Sequence, residues 1–139
     1  MASQRQDILD ALKSVIDSIS SITTTTLLNY EPDLNKYPSS SLPLAVIVPL
    51  TESPLYETGQ FARWSLDVRI IVYFLSEGSD SVEGEALLKD IKDALGNNST
   101  LNGNAIDINI GEITNGGDFP LFNAEFKVRI TYERSILNA

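Results

Sequence analysis

The sequence has no cysteine and no histidine. The missing cysteine excludes disulfide bonds and a thiol nucleophile, and the missing histidine excludes an imidazole base. Together the two absences exclude a zinc site built from Cys and His. Basic residues are few: the chain has 10 Lys and Arg and 19 Asp and Glu, which gives a net charge of −9. Nucleic-acid affinity comes largely from contacts of Lys and Arg with phosphates. The excess of acidic residues therefore argues against a protein that binds the phosphate backbone of nucleic acid.

Long apolar runs are also missing, and none reaches the roughly 18 residues of a membrane span. The opening residues, MASQRQDILDALK, carry acidic side chains where a signal peptide needs an apolar stretch, so we expect no secretion signal. There is no Gly-x-Ser-x-Gly motif and no P-loop. Carboxylates such as Asp107 and Glu112 are the remaining acid–base groups, and we interpret them as solvated strand and helix faces. The sequence therefore predicts no enzyme, no cofactor and no metal site.

Two segments have the apolar spacing of amphipathic helices. The first is Gln4–Ile22, where apolar residues recur every three or four positions. The second is Val82–Leu95, which we expect to end at Gly96 through a left-handed cap.

Period-two alternation predicts strands in the rest of the chain. The predicted strands are a short one within 23–30, then 44–50, 61–75, 105–113 and 121–134. Segments rich in proline and polar residues predict loops at 31–43 and 51–60, and 115–118 predicts a turn. This order predicts a single α+β domain over residues 1–139, with both helices packed on one face of a mainly antiparallel sheet.

Charged side chains alternate along the polar faces of the two longest predicted strands. They are Arg63, Asp67, Arg69, Lys127 and Arg129. Antiparallel sheets commonly leave one face in water, so a solvated open face is one interpretation. The other is a subunit interface, in which a neighbouring chain pairs with these charges.

Apolar residues in or beside the predicted loops are candidates for partner contacts, because loops on a rigid sheet often bind and aromatic residues often anchor interfaces. They are Tyr37, Leu42, Leu55 and Tyr56.

Several segments, in this order, resemble one family. They are DILDALKSVIDSI, PLAVIVPL after a proline-rich stretch, FARWSLDVRIIVYFL, EGEALLKDIKDAL and the closing FNAEFKVRITYER. The chain resembles the tail terminators of tailed bacteriophages, also called tail completion or minor tail proteins. The resemblance implies a ring, commonly a hexamer, that caps the head-proximal end of the tail tube and stops its polymerisation.

The same resemblance implies the partners. The ring would contact the tail tube protein, the head-completion or neck proteins and, in contractile tails, the sheath. It would need no cofactor and no membrane, would lie in the virion and would assemble in the host cytoplasm. DNA would be passing cargo, and acidic residues facing a lumen would repel its phosphates. The residues that we predict for this lumen lie in the predicted loops and turns: Glu52, Glu57, Asp80 and Asp118.

Two other functions stay open at this stage. A head-closure protein, that is, a stopper or connector of the neck, has a similar length. A small ligand- or peptide-binding domain with an open sheet is the less favoured alternative. An enzyme that works through carboxylates ranks lowest, because it would need carboxyl groups with perturbed pKa values.

Overall fold

The computed structural model describes residues 4–27, 40, 42–57, 61–75, 82–101, 103–118 and 121–135. Its elements are α1 (Gln4–Asp17), β1 (Thr24–Leu27), β2 (Leu44–Glu57), β3 (Phe61–Leu75), α2 (Val82–Asn97), β4 (Asp107–Asp118) and β5 (Leu121–Ser135). The strands form one sheet in the order β1-β2-β3-β5-β4. The β1–β2 pair is parallel and the other three pairs are antiparallel. The predicted fold class, two helices with a mainly antiparallel sheet, is confirmed.

The main core lies between the helices and one face of the sheet. Both helices contribute their apolar stripes to it, including Ile8 and Leu12 from α1 and Ile91 and Leu95 from α2. The sheet contributes the even-numbered residues of β3 and β5, such as Ile70 and Phe126, which are fully buried, and Ala45 and Ile47 of β2. This is the apolar face that the alternation predicts. Burial of large side chains, each contributing about 1.5–3 kcal/mol, holds the helices on this face.

A smaller apolar cluster lies at one end of the opposite face of the sheet. Its buried members are Leu44, Val46, Val48, Ile71 and Tyr73, with Leu42 and Leu121 packed against them. The rest of this face is polar, so the face changes from apolar to charged along the strands. We call its charged part the open face, because no helix among the described residues packs on it.

The second strand is longer than the sequence predicts, because residues 51–57 continue it as part of β2 and do not form a loop. Only residues 44–47 of β2 pair with β1, so among the described strands β2 has a partner on one side alone beyond Ile47. Pro49 and Pro54 are tolerated there, since an edge strand has no ladder bond to lose on its open side. The proline and polar content that predicts a loop marks an edge strand in this chain.

The predicted turn at residues 115–118 is also wrong, because β4 continues through it to Asp118 and pairs with Leu121. Gly117 has a φ of +91°, and a Cβ atom there would lie 2.7 Å from the carbonyl oxygen of Leu121. Glycine is thus required at this position by conformation and by space. The glycine pair belongs to the end of a strand ladder and not to the tip of the hairpin.

Both helices end at positions other than those predicted. Helix α1 ends at Asp17, although Ile19 and Ile22 remain buried in the turns that follow, so the apolar spacing outlasts the helix. Helix α2 continues through Gly96 to Asn97, and the left-handed conformation occurs later, at Leu101 with φ +48° and Gly103 with φ +87°. Burial of the Leu101 side chain offsets the cost of its backbone conformation.

Candidate interaction surface on the open sheet face

Strand pairing brings the five charged residues predicted for a subunit interface onto the same face. In the β3–β5 ladder, Asp67 lies opposite Arg129, and Arg69 lies opposite Lys127. Arg63 lies two positions before Ser65 on the same side of β3, opposite Glu133. The sequence predicts which residues of each strand lie on the same face. The register of β3 against β5 shows in addition which of these charges are neighbours.

Most of these charges are paired inside the chain. Arg63 Nη2 lies 2.7 Å from Glu133 Oε1, and Arg129 Nε lies 3.0 Å from Asp67 Oδ1. This second contact raises the pKa of Arg129 above its ordinary value, through the hydrogen bond to Asp67 and the attraction of its charge. The third pair joins Arg69 to Glu125, and both side chains are about three-quarters buried.

Lys127 is different. It is exposed, and within the described part of the chain it has no ion pair or hydrogen bond through its side chain. The residue directly opposite is another cation, Arg69, which makes its ion pair with Glu125, the next side chain on the same face of β5. Like charges directly opposite in a sheet are destabilising. Lys127 is therefore a cation left without its own carboxylate.

Two β-bulges flank this part of the sheet. In β2 the register shifts between Pro49 and Glu52, and in β4 it shifts between Ile110 and Ile113. Each bulge places one extra residue opposite the central strands, which increases twist and bends the strand. The bulge in β4 also returns Ile113 to the side of Ile108 and Ile110, so that all three pack at the margin of the main core.

A groove of about 590 Å³ lies across the open face between the two bulges. Its lining residues come from all four long strands: Leu50, Asp67, Val68, Asn109, Gly111, Glu112, Lys127, Val128 and Arg129. Leu50, with 47% of its surface exposed, supplies an apolar edge beside this otherwise polar surface. The groove can therefore receive a polar surface with one apolar contact, and its four charged lining residues, Asp67, Glu112, Lys127 and Arg129, carry no net charge.

The candidate partner contacts fall in places other than free loops. Leu42 packs against the small apolar cluster, and its carbonyl oxygen accepts a hydrogen bond from Thr23 Oγ1 at 3.1 Å. Leu55 and Tyr56 lie in β2, where Leu55 is 50% exposed at a second register shift. Tyr37 lies outside the described residues. Of this set, Leu55 is the one for which the structure describes an exposed apolar side chain.

The acidic residues predicted for a lumen lie in strands where the structure describes them. Glu52 and Glu57 lie in β2 and Asp118 ends β4, so their predicted place in loops is wrong, and Asp80 lies outside the described residues. Glu57 pairs with Ala62 at one end of β3, whereas Asp118 pairs with Leu121, which lies opposite Leu75 at the other end. Glu52 is half-buried and lies opposite Leu66. Glu57 and Asp118 therefore occupy opposite ends of the sheet within one chain.

Sequence reasoning missed the bulges, the groove and six of its lining residues: Leu50, Val68, Asn109, Gly111, Glu112 and Val128. One signal was present, because the isoleucines at 106, 108 and 110 are followed by one at 113, a break in the alternation that is typical of a bulge. Among the described residues there is no cluster of acidic side chains that could hold a metal ion. Within the same residues, no helix has the length and hydropathy to cross a membrane.

Comparison with known proteins gives little. No family model matches the chain. No curated protein matches it either. Among solved structures, it is similar to a chain in the virion of a native gene transfer agent particle, with a TM-score of 0.42 and 10% sequence identity over 95% of this chain and 92% of that chain. A likeness this weak carries no conclusion about function.

Proposed function

We propose that this chain is a structural protein of a phage-type tail, a terminator that forms a ring, commonly hexameric, on the head-proximal end of the tail tube. The ring would stop tube polymerisation and offer a docking surface to the head-completion or neck proteins. It would act without a cofactor, as an assembly component and not as an enzyme. The proposal starts from the sequence resemblance, and the order of elements in the fold agrees with that resemblance.

The observation that carries the proposal is the open sheet face. Four strands of 12 to 15 residues form a face that no described helix covers, although typical strands have about five or six residues. Helices cover only the other face. A large rigid surface with paired charges, a groove and one unpaired cation suits contact with another protein better than it suits chemistry.

Strand edges support the same conclusion. Beyond Ile47, β2 has no neighbour on its outer side among the described strands, and the outer side of β4 has none along its whole length. Exposed strand edges are places where further chains add, unless they are shielded. The bulges in both strands shield these edges against uncontrolled pairing, while the faces beside them stay accessible.

The test is arrest of tube growth. Purified tail tube protein from the same particle is polymerised with and without the chain, and tube lengths are measured by negative-stain electron microscopy. We expect shorter tubes that carry a cap at one end. Unchanged lengths at a molar excess of the chain would contradict a terminator. Binding to the head-side connector without any effect on tube length would favour the head-closure alternative.

A further inference from the structure

The two sides of the sheet differ in how well their edges can accept another strand. β1 and β4 are the outermost strands, and beyond Ile47 the outer side of β2 is also free among the described strands. An edge strand presents unpaired backbone N–H and C=O groups, which another extended chain can pair with. Whether such a chain adds depends on the length and the sequence of the edge.

The side formed by β1 and β2 is poorly suited to strand addition. β1 has only four residues, Thr24–Leu27, fewer than a typical strand. In the free part of β2, Pro49 and Pro54 have no N–H, and a register shift follows each of them. A strand added there would lack two donors and would meet two breaks in the ladder. This side therefore offers no regular edge.

The β4 side does offer one. β4 has 12 residues, Asp107–Asp118, and contains no proline, lysine or arginine, which are residues that commonly protect an edge. Its bulge lies between Ile110 and Ile113, and the ladder with β5 is regular on either side of it. Both isoleucines and Ile108 pack against the main core, which holds the strand in place. The bulge divides the edge into two short stretches, so only a strand that matches it can pair along the whole edge.

The charges of β4 disfavour pairing with the same edge of a second copy. Every charged residue in the β4 sequence is acidic, and the side chains of Asp107 and Glu112 are exposed. Two β4 strands side by side would bring together the carboxylates of both chains, and like charges across a strand pair are destabilising. Since β1 and β2 offer no regular edge, no described strand of this chain complements β4.

Cations on the neighbouring strand β5 do not remove this acidity. Arg129 is paired with Asp67, and Lys127 lines the groove together with Glu112, so Lys127 can compensate at most one carboxylate. Asp107 has no ion pair among the described contacts. The chain as a whole has a net charge of −9. Local and overall charge therefore favour an added strand with basic side chains.

We infer that the outer edge of β4 binds an extended, basic strand of a different protein, which joins the described five-stranded sheet as a further strand. The inference rests on the proposed terminator and names the edge by which it would hold the tube. Backbone hydrogen bonds supply the affinity, and Asp107 supplies the charge that selects the strand. Because the other side of the sheet has no equivalent edge, a chain bound in this way ends a series of strands and does not extend it.

Amide hydrogen exchange with a defined probe tests the edge. The probe is a peptide of alternating valine and lysine, and its control has glutamate in place of lysine. We expect the valine–lysine peptide to slow exchange of the outward-facing β4 amides by at least about tenfold, because paired amides exchange only through opening. The β2 amides beyond Ile47 should keep their rates. No protection of β4 by the valine–lysine peptide, or equal protection by both peptides, would overturn the inference.

A charge reversal tests the selection by Asp107. Asp107→Lys replaces an exposed carboxylate at the start of β4 and should weaken binding of the valine–lysine peptide by about tenfold. Glu85→Lys makes the same charge change at an exposed position of α2, which packs on the other face of the sheet, and should preserve most of the affinity. Isothermal titration calorimetry measures both variants. Equal losses would show that net charge alone attracts the peptide and would contradict the inferred edge.

The same exchange measurement with purified tail tube protein separates this inference from the proposed function. Tube arrest without protection of β4 would support the terminator and contradict the edge. Protection of β4 by the valine–lysine peptide, with no effect of the chain on tube length, would support the edge and contradict the terminator.

Discussion

Arg69 and Lys127 lie directly opposite each other in the β3–β5 ladder, yet only Arg69 has a carboxylate partner. The partner is Glu125, which lies two residues from Lys127 on the same face of β5. Lys127 therefore lies beside the Arg69–Glu125 ion pair without an ion pair of its own among the described contacts. This arrangement costs stability within the chain, so it is the place where a contribution to binding is easiest to separate from a contribution to folding.

Removal of the Glu125 carboxylate should destabilise the fold. In Glu125→Gln, Arg69 keeps its charge but loses this ion pair, and we expect the free energy of unfolding to fall by about 1–2 kcal/mol. The matched control is Glu133→Gln, which breaks the more exposed pair with Arg63 and should cost less than about 0.5 kcal/mol. Urea denaturation measures both values. Equal losses in the two variants would contradict the special position of Glu125.

Lys127→Gln should leave the folded chain at least as stable as wild type. Relief of the like-charge pair with Arg69 is expected to raise the free energy of unfolding by about 0.2–1 kcal/mol. In the Glu125→Gln background the same change should recover part of the lost stability, and a double-mutant cycle over the two positions gives the coupling. If Lys127→Gln destabilises the chain by more than about 1 kcal/mol, Lys127 has a structural role and not the role of a free cation.

Gly117 should tolerate substitution much less well than Gly103, although both have positive φ. A Cβ at Gly117 would approach backbone atoms of Leu121 and Phe122 to 2.7 and 2.9 Å, whereas one at Gly103 would meet nothing within 4 Å. We expect Gly103→Ala to cost about 1 kcal/mol through its conformation. Gly117→Ala should cost clearly more, because the β4–β5 hairpin must open to accept the methyl group. Thermal unfolding of the two variants compares their losses of stability. Equal losses would show that the β4–β5 hairpin accommodates the methyl group without opening.

Lys89 should keep its proton to a higher pH in the wild-type chain than in Asp93→Asn. The hydrogen bond to Asp93 and the charge of Asp93 raise the pKa of Lys89 above its ordinary value of 10.5. Since the folded-state pKa is the higher one, the stabilisation is complete below the ordinary value and is lost as pH rises through the raised pKa. Side-chain NMR titration of Lys89 in the two chains measures the difference. The same pKa in both would contradict the ion pair.

One of the two longest strands was predictable from end to end, because the even-numbered residues from Trp64 to Phe74 are all apolar and β3 has the predicted bounds, 61–75. The main core followed from the same periodicities. The second half of β2 was not predictable in this way, since its prolines are permitted only by the absence of a partner on the outer side of β2. Whether that side is open depends on the length of β1, which local sequence does not reveal.

The site was predictable in composition but not in geometry. Alternation places Asp67, Lys127 and Arg129 on one face, but which charges pair depends on the register of β3 against β5. The groove depends further on two bulges at neighbouring levels of β2 and β4, in segments far apart in sequence. Long-range register of this kind is set by the packed sheet, so no single segment encodes it.

The salt dependence of self-association decides which force governs contact between copies of this chain. Two chains with a net charge of −9 repel each other, and salt screens this repulsion. If apolar contacts through Leu50 and Leu55 governed association, raising NaCl from 0.1 to 1 M, which shortens the screening length from about 10 Å to about 3 Å, would strengthen it.

If a charge pair between Lys127 and a carboxylate of a second copy governs association, the same change should weaken it several-fold, because the local attraction is screened together with the repulsion. Lys127→Gln should reduce or reverse this dependence, whereas Lys92→Gln, on α2, should preserve it. Sedimentation equilibrium at the two salt concentrations measures the sign. A wild-type chain that associates more tightly in 1 M NaCl would contradict the charge-based contact and would assign the interface to the exposed leucines of β2.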